Sequence, residues 1–390
     1  MSMPLLRALL RGACVCACVG ASHATAYVMV VGPGRAVVTL GEAARKARSG
    51  DVIEVDAGRY VDDVAVFTQD ELVIRAVGGR ARFVSTGAMA QDKAIVVVRG
   101  RDVTVEGLEF TGARVADHNG AGIRHETGRL TVRDCLFEDN EMGILTSNDA
   151  SAELVVERSE FRRNAVDARF QPGDPGHQIY VGLIGRFTLR ESYVHQGAFG
   201  HLVKSRARET RIENNRITDE PPGRSSYEID LPSGGDAWVI GNLIGQSATT
   251  ENNTIVSFGA EGYRWPVNGL VLAFNTIVDA LPHGGRVLAV REGATAVDVL
   301  DNVVLGNSLQ ASGTTGRFAD NRVARASDFV APAQGDYRLH AASAIAAPTP
   351  DPGEVRGQPV IPAREYLHPR GSRPVAPGPR RPGAFQSTGD

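Results

Sequence analysis

The chain has 390 residues, which is enough for one large domain or two domains of ordinary size. Its formal net charge is only −3, so composition gives no argument for a nucleic-acid or membrane-surface partner. Aromatic residues make up 6% of the chain, so the core must be mainly aliphatic, and any strong charge effect must come from local clustering.

The N-terminus has the pattern of a signal peptide, predicted to span residues 1–26. Arg7 and Arg11 precede a short apolar run at 13–21, and Ala24-Thr25-Ala26 forms an A-x-A cleavage site. The apolar run is too short to span a bilayer as a helix. We therefore expect an exported protein, periplasmic or secreted, without a transmembrane segment.

A short amphipathic helix is predicted next, over residues 39–47. Thr39 is the expected N-cap, with Glu42 at the capping-box spacing. An alternating strand between glycine turns follows at 50–60. A helix before a first strand is suited to capping an open stack of strands.

From about residue 100 an internal repeat determines the fold. Its template is apolar, x, apolar, x, x, small or Asn, x, apolar, and the period-two pairs indicate strands. The copies lie at 103–110, 130–137, 154–161, 187–194, 210–217, 237–244, 270–277, 297–304 and 316–323. Fixed strands with loops of variable length, in coils of about 20–30 residues, predict an all-β, right-handed parallel β-helix over residues 27–342.

Asparagine recurs at the sixth template position, where the pattern indicates a bend. The residues concerned are Asn215, Asn242, Asn275, Asn302 and Asn321. Each side chain is expected to hydrogen-bond to the asparagine one coil away, which would form a ladder inside the turn. Beyond the solenoid, residues 343–390 are rich in Pro, Gly and Arg, which predicts an extended tail packing on or extending from the β-helix.

A further strand follows in most coils, and its outward residues form the candidate site. The predicted inward residues are Ile123, Ile144, Val166, Val203, Ile229 and Val287. Equivalent residues of successive coils lie about 4.8 Å apart. One step along the strand, the outward column becomes Arg124, Leu145, Asp167, Lys204 and Asp230, flanked by Arg169, Arg206 and Glu228. We expect these charges to line a groove centred on coils 160–235.

Other groups able to bind a glycan or move protons gather in or near the same coils. They are His177, Tyr180, His195, His201, Arg208 and Tyr227, and a later loop adds Arg264 and Trp265, which suit stacking on sugar rings. A plain solvated face of alternating charges remains the alternative interpretation of the column.

Two reactions would use such groups. β-Elimination of a uronic-acid polysaccharide needs a base and a cation that neutralises the carboxylate. Hydrolysis needs two carboxylates, which Asp230 with Asp167 or Glu228 could supply. Calcium binding would need clustered oxygen ligands, for which Asp230, Glu228 and Asp236 are the candidates.

Over roughly residues 35–340 the coil pattern resembles the pectate-lyase-like parallel β-helix superfamily. More narrowly, Val203-Lys204-Ser205 and the turn at 212–217 resemble the Lys-Ser strand and Asn turn of the lyases that include chondroitinase B and several alginate lyases. This resemblance implies that Lys204 is the base. The Arg-His-Gly segment of that family is replaced here by the residues at 230–235, and its calcium-binding Asn and Glu residues have no clear counterpart.

The sequence therefore predicts a polysaccharide lyase acting on an acidic polysaccharide or oligosaccharide. Lys204 would be the base, Arg206 or Arg169 would neutralise the carboxylate, and His201 or Tyr227 would be the acid. A glycoside hydrolase of the same fold and a non-catalytic glycan-binding protein remain alternatives. We expect a monomer, with no cofactor assigned and the need for Ca²⁺ left open.

Overall fold

The computed structural model describes residues 26–166, 176–306 and 316–389, together with the backbone of the strand Ala311–Ser312. Most of the chain forms successive coils whose strands pair in parallel with those of the coils before and after them. In chain order, a complete coil gives one strand to each of three sheets, here called sheets 1, 2 and 3. The predicted signal peptide, Asp167 and Arg169 lie outside the described residues.

Sheets 1 and 2 share two long strands, Val52–Val61 and Val73–Val84, which bend from one sheet into the other. The other strands of sheet 1 are Val28–Val31, Val103–Glu106, Arg129–Arg133, Glu153–Glu157, Arg186–Arg190, Glu209–Glu213, Asp236–Ile240, Gly269–Ala273, Ala296–Leu300 and Arg317–Ala319. Those of sheet 2 are Leu108–Thr111, Leu136–Glu138, Glu160–Arg162, Tyr193–His195, Arg216–Thr218, Leu243–Gln246, Thr276–Asp279, Val303–Leu305 and Arg322–Ala324.

Sheet 3 carries the candidate site. Its strands are Ala65–Phe67, Ala94–Val98, Ala121–His125, Met142–Thr146, His177–Val181, Val203–Ser205, Ile229–Leu231, Thr254–Phe258, Arg286–Val290 and Ala311–Ser312. The three sheets enclose one continuous aliphatic core. This architecture is a parallel β-helix, so the predicted fold is confirmed.

The helix Leu40–Lys46 packs beside the first strands. Thr39 is its N-cap, as predicted, and accepts a hydrogen bond from the Glu42 backbone N–H at 3.1 Å. The Glu42 carboxylate accepts from Val38 N–H rather than from the cap itself. No helix in the described ranges is long and apolar enough to cross a membrane.

The C-terminal region is a series of short elements. Its antiparallel hairpins pair Phe329–Ala331 with Asp336–Leu339, Glu354–Val355 with Gln358–Pro359, and Arg364–Tyr366 with Ser372–Pro374. Its 3₁₀ turns are Ala326–Asp328, Pro332–Gln334 and Ala344–Ala346. The tail packs back along the coils: Val355 and Val360 cover Trp238 and Phe274, and Gly371 N–H reaches Glu191 O.

The bend between sheets 1 and 2 repeats from coil to coil. The residue before the bend position adopts a left-handed conformation with φ between 46° and 73° at Gly107, Asp134, Arg158, Glu191, Asn214, Gly241, Phe274, Asp301 and Asp320. This conformation turns the chain within two residues and directs the next side chain into the stack.

The predicted asparagine ladder occupies this bend and is confirmed. The Nδ2 of each asparagine donates to Oδ1 of the next, at 3.0 Å from Asn215 to Asn242, 3.0 Å to Asn275, 3.0 Å to Asn302 and 2.8 Å to Asn321. The same oxygens accept backbone N–H groups of the preceding coil. These bonds satisfy buried amides and fix the register between coils.

The corner between sheets 2 and 3 is filled by a stack of phenylalanines packed against glycines. The ring centroids of Phe110, Phe137 and Phe161 are 5.1 and 4.7 Å apart. A Cβ atom on Gly122 would lie 2.7 Å from the Phe137 ring, and one on Gly143 would lie 2.8 Å from the Phe161 ring. Glycine is therefore required opposite each ring.

The inward residues of sheet 3 follow the prediction in four coils and differ in two. Ile123, Ile144, Val203 and Ile229 are in register. Ile179, rather than Val166, pairs with Ile144 and Val203, because the chain between Val166 and the strand His177–Val181 is longer than the repeat suggested. Leu288, not Val287, continues the column after Val256.

Replacing Asn242 tests the ladder. Asn242→Ala should lower the free energy of unfolding by about 2–4 kcal/mol, because Asn215 N–H and Nδ2 lose their acceptor inside the core. The matched control is Asn321→Ala at the half-buried end of the ladder, where water can replace the lost group. Urea unfolding of both variants checks this, and a loss in Asn242→Ala no larger than that in Asn321→Ala would contradict the expected extra cost at the buried rung.

Candidate functional site

The outward face of sheet 3 forms an open groove of about 630 Å³. Polar and aromatic side chains dominate its lining, notably Arg124, His177, Tyr180, His201, Lys204 and Arg206. A parallel stack creates this concentration because each coil adds the same strand position directly beside the previous one. The parallel register between coils therefore brings these side chains together and forms the groove.

The outward column runs Arg124, Leu145, Tyr180, Lys204 and Asp230 from coil to coil. Sequence analysis predicted four of these five positions. The predicted third position was Asp167, but the strand between those of Leu145 and Lys204 contributes Tyr180 instead.

An aromatic column lies beside the charged one. The ring centroids of His177 and His201 are 4.7 Å apart, those of His201 and Tyr227 are 4.9 Å apart, and His177 also stacks on Tyr180 at 5.3 Å. His177 Nδ1 accepts a hydrogen bond from the His201 backbone N–H at 2.9 Å. These rings form one side of the groove floor, next to Lys204.

Lys204 lies in the strand Val203–Ser205, Arg206 directly follows that strand, and the two side chains share one carboxylate. Lys204 Nζ lies 3.1 Å from Glu261 Oε1 and 3.5 Å from Asp230 Oδ2. Arg206 binds Glu261 through Nε at 3.0 Å and Nη2 at 2.7 Å. Arg206 Nη1 donates to the Tyr180 hydroxyl, and its guanidinium lies 5.1 Å from the centre of that ring.

Glu261 was missed by sequence analysis, although the loop that carries it was singled out for its aromatic residues. The loop rests on its neighbours: Glu261 N–H donates to Pro232 O at 2.9 Å, and Trp265 Nε1 donates to Arg206 O at 3.0 Å. The indole of Trp265 is thus half-buried beneath the loop. No periodic feature of the sequence links residue 261 to residue 204, so only tertiary structure reveals the ion pair.

The two groove histidines are neutral at ordinary pH. Burial lowers the pKa of His201 to about 3, and the nearby charges of Lys204 and Arg206 lower it further. Burial, followed by His201, Lys204 and Arg206, also holds the pKa of His177 well below its usual value. The prediction that His201 serves as general acid conflicts with this, because no imidazolium proton is present near neutral pH.

The two carboxyl groups around Lys204 are perturbed in opposite directions. Burial raises the pKa of Asp230, and Lys204 only partly offsets that effect. Burial also acts on Glu261, but its hydrogen bonds from Arg206 and the charge of Lys204 outweigh it and lower its pKa. Within the described residues, Asp230 Oδ1, His201 Nδ1 and Arg124 Nε are buried atoms without a hydrogen-bond partner.

Several predicted site residues lie elsewhere. Arg208 is exposed in the turn that leads to sheet 1, and Arg264 is exposed on the loop of Glu261. His195 belongs to sheet 2, where it pairs with Glu160 at 3.3 Å. None of these three side chains therefore lines the groove floor.

Glu228 was predicted to flank the groove, and this orientation is wrong. Its side chain is completely buried, and both carboxyl oxygens lack a hydrogen-bond partner among the described residues. In the register of sheet 3, Glu228 is equivalent to Gly143, which lies at the inward corner, and it directly precedes the inward residue Ile229. At this corner consecutive residues both point inward, so the alternation used to place Glu228 outside does not apply.

The three candidate calcium ligands are not brought together. Asp230 lies in the groove, Glu228 lies in the core, and Asp236 pairs with Arg356 at 2.7 Å on the face covered by the tail. Across the described ranges, no group of three or more His, Cys, Asp or Glu side chains could hold a metal ion.

Comparisons with known proteins identify the fold. The sequence matches no known family and no curated protein. Among solved structures, the crystal structure of pectate lyase Pel9A is similar, with a TM-score of 0.61 and 15% identity over 93% of this chain and 97% of that chain. The Dettilon tailspike protein (gp208) gives a TM-score of 0.36 at 13% identity, over 76% of this chain and 68% of that one. The parallel β-helix fold predicted from the repeat is confirmed.

The buried Glu228 should make stability depend on pH. Burial, with Asp219 and Asp279 nearby, raises the pKa of Glu228 well above its ordinary value of 4.5. The folded state thus keeps a proton that the unfolded chain loses, so wild-type stability falls as pH rises above 4.5. Glu228→Gln removes this dependence.

We therefore expect Glu228→Gln and wild type to have similar free energies of unfolding at about pH 4, and the variant to be the more stable at about pH 8. Urea unfolding at both pH values measures the difference. The exposed Glu292→Gln serves as control and should run parallel to wild type. A Glu228→Gln profile that is also parallel would show that the carboxyl group is not protonated in the folded state.

Proposed function

We propose that this is an exported, carbohydrate-active β-helix protein that binds an acidic glycan in the groove of sheet 3 and cleaves it by β-elimination. The observation that carries the proposal is the alignment of Arg124, Lys204 and Arg206 on one outward face, beside a column of aromatic rings. A uronic-acid chain offers carboxylates to such cations and apolar sugar faces to such rings.

The proposed reaction assigns a separate role to each of two basic side chains. Arg206 presents a planar fork that suits a carboxylate, and neutralising the carboxylate makes the adjacent C5 proton more acidic. Lys204, two residues earlier in the chain, takes that proton as base in its neutral amine form. The electrons of the C5–H bond form a double bond to C4, and the C4–O bond to the leaving sugar breaks.

The leaving oxygen needs a proton, and Tyr180 is better situated to supply it than the residues first considered. Its hydroxyl contacts Arg206, and its ring centre lies 5.9 Å from Lys204 Nζ. Tyr227 contacts His201 at the far side of the aromatic column instead. His201, being neutral, would orient the substrate or Asp230 through its ring nitrogens.

Two further observations support the glycan assignment. The similar structure, Pel9A, is a pectate lyase by name, and an open groove along stacked coils suits an extended polymer. The A-x-A pattern at the N-terminus supports export, which would bring the protein to extracellular or periplasmic glycans.

Lys204→Ala is expected to lower kcat at least about 100-fold without unfolding the protein, because the side chain points outward and acts as base. The assay screens alginate, pectate, glycosaminoglycans and bacterial exopolysaccharides for the ultraviolet absorbance of unsaturated uronates, with and without Ca²⁺. Lys46→Ala on the N-terminal helix is the control and should retain full activity. Full activity of Lys204→Ala would exclude Lys204 as base.

A glycoside hydrolase is the second candidate, and one observation favours it. Asp230 and Glu261 both contact Lys204 Nζ, at 3.5 and 3.1 Å, so both carboxyl groups lie close to one ammonium. Their pKa values are shifted apart, upward for Asp230 and downward for Glu261. A protonated acid beside an ionised carboxylate is the combination that glycosidic hydrolysis requires.

Product chemistry separates the two candidates. Hydrolysis should release reducing ends without new ultraviolet absorbance, and both Asp230→Asn and Glu261→Gln should abolish it. Elimination should produce the absorbance and should survive Glu261→Gln, since Glu261 has no role in proton transfer there. Glycan binding without either product would assign a non-catalytic binding function.

A further inference from the structure

We infer that Glu261 occupies the carboxylate subsite of the groove in the free protein, so that a carboxylate of the glycan must displace it from Lys204 and Arg206. Glu261 would then compete with acidic ligands for this subsite and lower their affinity. This inference rests on the proposed acidic-glycan function and deepens it by naming the subsite and its occupant.

The contacts of Glu261 are those expected of a bound uronate carboxylate. Oε1 lies 3.1 Å from Lys204 Nζ and 2.8 Å from Arg206 Nη2, and Oε2 lies 3.0 Å from Arg206 Nε. One carboxylate thus bridges both cations, in the fork geometry that arginine offers to any carboxylate. The position is shaped for a single anionic group.

The two sides of this ion pair differ in exposure. The side chains of Lys204 and Arg206 are only 12% and 18% exposed, whereas that of Glu261 is 46% exposed. The cations are held from below by the strand and by Tyr180. The Glu261 carboxylate is more exposed to water, which weakens its attraction to the two cations.

Glu261 can leave without moving its loop. The backbone is anchored by the bond from Glu261 N–H to Pro232 O, and the loop is further held by Tyr263 Oη, which donates to Arg291 O at 2.6 Å. Rotation of the exposed side chain alone would therefore vacate the subsite. A gate of this kind requires no domain motion.

The charge balance favours exchange for another carboxylate. With Glu261 in place, its carboxylate contacts both Lys204 and Arg206. When Glu261 swings out, Lys204 keeps the buried Asp230 carboxyl group at 3.5 Å, but Arg206 keeps only the Tyr180 hydroxyl, so its positive charge loses its carboxylate partner. An incoming carboxylate replaces that partner, whereas an uncharged sugar does not.

The test is a binding titration with monomeric D-galacturonate at low ionic strength, with D-galactose as the uncharged control. Glu261→Gln should bind galacturonate about five- to tenfold more tightly than wild type, with no change for galactose. Glu292→Gln, an exposed carboxylate in the following turn, should match wild type. Adding Arg206→Gln to Glu261→Gln should remove the gain, and matching thermal unfolding midpoints would confirm that Glu261→Gln is folded.

Equal galacturonate affinity of Glu261→Gln and wild type would overturn the inference, as would undetectable binding by the variant or an equal gain for galactose. These outcomes are independent of the proposed function, which the polymer screen tests. If wild type binds no acidic polymer but Glu261→Gln gains galacturonate affinity, the subsite stands and the proposed function fails. If polymers bind and the gain is absent, the proposed function stands without the gate.

Discussion

The hydrogen-bonded bend between sheets 1 and 2 is the constraint on which the rest of the structure depends. A left-handed residue turns the chain, and the next side chain bonds to its equivalent one coil away. Serine plays this part at positions 159 and 192, where Ser159 N–H donates to Ser192 Oγ at 3.1 Å, and asparagine takes over from Asn215 onward. Because these bonds link equivalent residues, they hold the strands of the coils that they join in register.

A second buried ladder supports the opposite corner. Asn140 Nδ2 donates to Asn164 Oδ1 at 2.9 Å, and Asn164 Nδ2 donates to Gln178 Oε1 at 2.7 Å. It ends where the phenylalanine stack ends, and the inward corner position then becomes Leu202 and Glu228. In the coils that carry the groove charges, Leu202 and Glu228 thus take the place of the glycines that pack against phenylalanine rings in the earlier coils. Glu228 remains in this core as a neutral acid, because no partner compensates a buried charge there.

The groove is a direct product of this register. Fixed spacing places Tyr180, Lys204 and Asp230 side by side, and Arg206, directly after the strand of Lys204, lines the same groove. Crowding of cations and burial together keep His177 and His201 neutral, so the aromatic column contributes shape and hydrogen bonding rather than charge. In the free protein the positive charges of Lys204 and Arg206 are nonetheless partly compensated, because the Glu261 carboxylate contacts both side chains.

The sequence by itself determined the β-helix, the asparagine ladder and most of the outward column, because each depends on a residue pattern that repeats with the coils. It could not determine what lies across variable loops. Tyr180 replaces the predicted Asp167 because an insertion delays its strand, and Glu261 reaches Lys204 from a loop 57 positions later. At the corner beside sheet 3, the backbone turns so that Glu228 and Ile229 both face inward. Only tertiary structure decided these points, since loop paths and corner geometry depend on packing between coils rather than on local periodicity.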